Sequence, residues 1–79
     1  MIEIDDFIKK IAEQFEQTNP LEITASTHFQ ELKDWDSLVV LSIIGMAHNT
    51  YGVNLIGSEV RAAKTVQDIY NMVVFKIST

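Results

Sequence analysis

Seventy-nine residues, 47% hydrophobic and 22% charged, make one domain spanning 1–79, because so short a chain buries too little surface for two independent cores. Eleven acidic against six basic residues leave a net charge of −5, which repels phosphate backbones and anionic lipid and argues against nucleic acid as a partner. The lack of cysteine excludes a disulfide framework and a protein thiolate nucleophile.

The start, MIEIDDFIKK, has neither the basic lead nor the apolar core of a signal peptide, and no run reaches the roughly 20 apolar residues of a membrane span. A monomer in the cytoplasm is expected. One proline and three glycines favour helices over short strands.

Ile4, Phe7, Ile8, Ile11, Ala12 and Phe15 recur at spacings of three, one, three, one and three, the pattern of an amphipathic helix. A first helix is predicted over residues 2–17, with Asp5 and Asp6 at the positive end of its dipole and Thr18, Asn19 and Pro20 ending it. Residues 18–36 follow as a long connection, a length that in a compact domain usually marks function. Leu21, Ile23, Phe29 and Leu32 are expected to pin it to the core.

A second helix is predicted over residues 37–50, behind Asp36 and ahead of Gly52, which can adopt the left-handed conformation beyond a helix end. Its sequence, SLVVLSIIGMAHNTY, has no charged residue. One core-facing stripe takes fewer than half of these apolar side chains, so part of Val39, Val40, Ile43 and Met46 is expected to face solvent or a partner. Ser58 should cap a short helix over residues 59–63. Thr65 should cap a last helix over 66–75, with Asp68 in its first turn and Val66, Ile69, Tyr70, Val73 and Val74 buried. The fold class is all-α, a four-helix bundle with three main helices, a short third one and a single core.

Groups for catalysis are few. His28 lies in the connection and His48 near the end of the second helix, and a pair of either with Ser37 lacks the third group that orients a triad. Asp34 and Asp36 lack the glycine turn and later glutamate of a calcium loop, and Gly45, Gly52 and Gly57 form no phosphate cradle. Neither a metal site nor an enzyme is expected. Trp35 either anchors a partner or covers the edge of the core, the second being the commoner fate of a large aromatic. Ser37 either caps the helix or receives a covalent attachment.

The D-S-L tripeptide Asp36-Ser37-Leu38, after a long loop and at the head of the second of four helices, resembles the motif of acyl carrier proteins. The resemblance extends to Phe29 and Leu32 in ITASTHFQEL, to YGVNL after the second helix, and to Thr65, Val66 and Asp68 in TVQD. It implies an acyl-carrier-type bundle in which Ser37 bears a 4′-phosphopantetheine arm from coenzyme A. The arm's thiol holds acyl groups as thioesters, so the chain needs no cysteine of its own. The partners implied are a phosphopantetheinyl transferase and acyl-loading and acyl-processing enzymes. Leu38 is expected to point into the core and turn Ser37 outward, while Asp36 either caps the helix or offers a charge to the modifying enzyme.

The second helix departs from the family, with Val39 and Ser42 where acids commonly lie and His48, Asn49 and Thr50 at its usually acidic end. That implies a specialised carrier in fatty-acid, polyketide or related biosynthesis, whose partners dock by apolar fit with little dependence on salt. Trp35, Val39, Val40, Ile43 and Met46 are the candidate docking residues. Alternatives are a free-standing peptidyl or aminoacyl carrier, and an unmodified adaptor using the same apolar face. Gly45 and Ala47 either leave room for a folded-back acyl chain or permit close helix packing.

Overall fold

The computed structural model describes residues 2–78, which contain helices and turns but no strand. Helix α1 (Ile4–Ala12) leads, through 3₁₀ turns at Pro20–Glu22 and Phe29–Glu31, to α2 (Ser37–Tyr51), α3 (Gly57–Ala62) and α4 (Val66–Ser78). α1 packs on α4, and α2 packs on both α3 and α4. The single core draws Phe7 and Ile11 from α1, Phe29 from the connection, Ile43 from α2, Val60 from α3 and Ile69 from α4, all fully enclosed.

α1 stops earlier than its apolar period suggests. The amides of Gln14 and Phe15 turn to the carbonyls of Ile11 and Ala12, at 3.0 and 3.1 Å, so the chain tightens into 3₁₀-type bonds. Phe15 still enters the core, at 2% exposure, but from this tightened turn.

The connection is tied down by polar groups as well as apolar ones. Ile23 and Phe29 are buried and Leu32 packs against the core, whereas Leu21, expected inside, is 88% exposed on the first 3₁₀ turn. The carbonyls of Thr27 and Ala25 accept from the Val66 and Gln67 amides, at 3.2 and 2.8 Å. These bonds satisfy donors that the first turn of α4 cannot pair within the helix. Gln30 Nε2 donates to the carbonyls of Arg61 and Ala63, at 2.7 and 2.8 Å, joining the second 3₁₀ turn to the end of α3.

In α2 the expected division of faces is reversed. Val39, Val40, Ile43 and Met46 are core side chains, with Ile43 at 0% exposure, while Leu38 and Leu41 are 71% and 63% exposed. Residues 39, 40, 43, 46 and 47 form one stripe of a 3.6-residue helix, and 38, 41 and 45 lie on the other side. Both faces are apolar, so periodicity alone does not choose the phase. Gly52 ends the helix as expected, at φ 68°.

α3 begins at Gly57, two residues before the expected start, because Glu59 Oε1 accepts from the Ile56 amide at 3.0 Å and closes the turn there. At α4, Thr65 Oγ1 accepts from the Asp68 amide at 3.2 Å and Asp68 Oδ2 accepts from the Thr65 amide at 3.1 Å, a reciprocal cap. α4 runs three residues past the expected Phe75 to Ser78. No proline or glycine interrupts it, and Lys76 pairs with Glu59 at 3.0 Å, joining α4 to α3.

Ile43→Ala is therefore expected to cost about 2–5 kcal/mol of unfolding free energy, and Leu41→Ala less than about 0.5 kcal/mol, as read by urea denaturation. Equal effects would contradict the burial pattern of α2. Hydrogen bonds from the Ile56 amide and the Lys76 ammonium hold the Glu59 carboxyl below its ordinary pKa. The Lys64 and Thr65 amides do the same for Asp68. A carboxyl with a depressed folded pKa stabilises above its unfolded value, about 4, and loses that contribution as pH falls through the folded value. The melting temperature should accordingly fall on acidification below about pH 4, and Asp68→Asn should flatten that decline.

Candidate functional site

Ser37 is the first residue of α2 and is exposed. Asp36 before it is extended, at φ −158° and ψ −177°, and its Oδ1 accepts from the Val39 amide at 2.9 Å. The Asp36 carbonyl accepts from the Val40 amide at 3.2 Å. Of the two roles open to Asp36, the structure displays the cap, and Ser37 is thereby relieved of the capping role. The amides of Ser37 and Leu38 belong to the first turn, at the positive end of the helix dipole.

Two further anchors precede the cap. Trp35 stacks on Phe15, with ring centroids 6.4 Å apart and an interplanar angle of 21°, and meets Phe29 edge-on at 5.1 Å and 64°. It is half-buried, so its indole covers the core edge. Asp34 accepts from the Thr18 hydroxyl at 2.7 Å through Oδ1 and from the Gln17 amide at 3.1 Å through Oδ2. Desolvation pushes the Asp34 pKa upward, but the Thr18 and Gln17 hydrogen bonds, its own backbone N–H and the Lys33 charge outweigh it and hold the carboxyl below its ordinary value.

Beside Ser37 lies an open groove of about 540 Å³. Leu38, Val39, Leu41 and Ser42 of α2 line one side, Gln14, Glu16 and Gln17 beyond α1 another, and Asp34 and Asp36 complete it. Leu38 is on this outer wall and not in the core, contrary to expectation. Gly45 has open space where a Cβ would lie, so it is not a close-packing glycine. Ala47 is fully buried in the packed core.

The histidines stand apart from the serine. His48 is eleven positions further along α2, about 16 Å along the axis, with Nδ1 3.1 Å from Asn54 Oδ1. His28 lines a separate depression with Gln30, Arg61 and Lys64. Asp34 and Asp36 are each occupied by hydrogen bonds to protein donors. Among the described residues no three His, Cys, Asp or Glu side chains gather as a metal site, and no helix is long and apolar enough to cross a membrane.

The partnership of Asp34 with residues 17 and 18, and the exposure of Leu41, had no local sequence signal. The first is a contact across 16 residues, and the second depends on the phase of a helix apolar on both sides.

A family model described as "Phosphopantetheine attachment site" matches residues 6–73. Comparison with curated proteins and with solved structures gave no significant match. The matched span contains the starts of α2, α3 and α4, together with Ser37 and the anchors Asp34, Trp35 and Asp36.

Loss of the Asp36 cap leaves the Val39 amide without its acceptor. Asp36→Ala is expected to lower unfolding free energy by about 0.5–2 kcal/mol while Asp36→Asn, which retains an acceptor oxygen, recovers most of it in chemical denaturation.

Proposed function

The chain belongs to the phosphopantetheine-attachment family, and from that premise we propose that Ser37 is the point at which the 4′-phosphopantetheine arm is joined. The observation that carries this reading is an exposed hydroxyl at the first position of α2, next to an aspartate that takes the capping role itself. The Ser37 and Leu38 amides and the helix dipole suit a phosphodiester at this place.

In the attachment, Ser37 Oγ forms a bond to the pantetheine-side phosphorus of coenzyme A. The phosphoanhydride bond breaks, adenosine 3′,5′-bisphosphate leaves, and the hydroxyl proton passes to a base of the phosphopantetheinyl transferase. No histidine of the carrier is required beside the serine. Once bound, the arm supplies a thiol for thioester chemistry. The chain acts as a non-catalytic shuttle between acyl-loading and acyl-processing enzymes, in the cytoplasm where coenzyme A and the transferase are available.

The exposed wall next to Ser37 supports a specialised carrier of fatty-acid, polyketide or related biosynthesis. An enzyme that receives the arm must approach Leu38 and Leu41, which are apolar and exposed. α2 offers no charged side chain to steer it. Docking therefore relies on shape and apolar contact, and its rate depends little on ionic strength. The adaptor alternative loses support, since Val39, Val40, Ile43 and Met46 lie inside the core.

Intact-protein mass spectrometry after incubation with coenzyme A and a broad-specificity phosphopantetheinyl transferase should show one added arm on wild type and none on Ser37→Ala. Failure of wild type under conditions that modify a control carrier would overturn the reading. With a modifiable chain, Leu41→Asp is expected to slow charging by the cognate loading enzyme at least about tenfold, the equivalent of 1.4 kcal/mol, with little change in melting temperature.

A further inference from the structure

Three consecutive side chains before Ser37 are held by the protein, and they point to different supports. Trp35 is fixed by Phe15 and Phe29, and Asp36 caps the Val39 amide. Asp34 closes onto Thr18 Oγ1 at 2.7 Å and the Gln17 amide at 3.1 Å. The first two have roles in the core edge and in the helix itself. The third has neither role, since Asp34 lies outside α2 and its partners are in the segment that leaves α1.

We infer that Asp34 is a positioning residue for arm attachment, clasping Gln17 and Thr18 so that the head of α2 holds Ser37 in the orientation the transferase requires. The inference rests on the assignment of Ser37 as the attachment point. A carboxylate with two donors makes charge-assisted bonds, stronger and more directional than neutral ones. The clasp stands three residues from the hydroxyl and forms part of the groove beside it. Small displacements of a nucleophile matter in proportion to how tightly geometry is required, and a misplacement of about 1 Å can cost about a hundredfold in rate. Without the clasp, the aromatic contacts and the cap still maintain the fold, while residues 33–36 have one restraint fewer.

The experiment compares wild type with Asp34→Asn, Thr18→Val and Thr18→Ser in steady-state arm transfer from coenzyme A, far below each melting temperature. Asp34→Asn turns an amide N–H2 toward one of two donors, Thr18→Val removes a donor at similar volume, and Thr18→Ser restores it. The expected result is a fall in kcat of roughly tenfold for Asp34→Asn and Thr18→Val, with KM for the carrier nearly unchanged and with recovery in Thr18→Ser. Amide hydrogen exchange should quicken at Val39 and Val40, whose amides are bonded to Asp36, and stay unchanged in α4.

A purely structural effect has another signature. A partly unfolded population lowers the concentration of competent carrier, raising apparent KM at constant kcat and quickening exchange throughout. That result would overturn the positioning role, as would wild-type kinetics in both variants, while modification of wild type leaves the attachment assignment standing. Absence of the arm on wild type would overturn both.

Discussion

Trp35 lies against Phe15 with ring centroids 6.4 Å apart and meets the edge of Phe29 at 5.1 Å, and the route of the long connection depends on this aromatic group. Residues 13–36 contain only short turns of their own, and a segment of that kind pays a large conformational entropy to be ordered. Burial of Phe15 and Phe29, with the indole lying over them, offsets it at the point where α2 must begin. The direction in which α2 leaves the connection, and so the exposure of Ser37, follows from that anchorage.

α2 shows how a helix without charge can still be two-sided. Val39, Val40, Ile43, Met46 and Ala47 complete the core, and Leu38 and Leu41 remain on the surface next to Ser37. Burial of the first group stabilises the bundle at about 25 cal/mol for each Å² of apolar area removed from water. The exposed pair contributes little to that stability. Such a surface suits contact by apolar area.

Four acidic residues of this chain serve as acceptors that shape the backbone. Asp36, Glu59 and Asp68 each accept backbone amides at the start of a helix, and Asp34 accepts one amide and one hydroxyl at the clasp. Carboxylates are well suited to these donors because helix starts expose unpaired N–H groups at the positive end of the dipole. Acidity here therefore organises the three helix starts and the approach to Ser37, while the face of α2 itself stays neutral.

Much of this was legible in the sequence, for reasons that are local. The period of Ile4, Phe7 and Ile11, the capping role of Thr65, the place of Asp68 in the first turn of α4 and the glycine at 52 each act within a turn or two of the chain, as does the D-S-L setting of Ser37, whereas the sequence left Asp36 two roles and the structure displays the cap. What tertiary structure alone decided was non-local. The phase of α2 is chosen by which apolar stripe meets α3 and α4, which put Leu38 and Leu41 outside and Val39, Val40, Ile43 and Met46 inside. The Asp34 clasp likewise comes from a contact between segments far apart in the chain. Local hydrogen bonding and periodicity determine where helices start and stop to within a few residues, but only the competition of faces for one core determines what each helix leaves exposed.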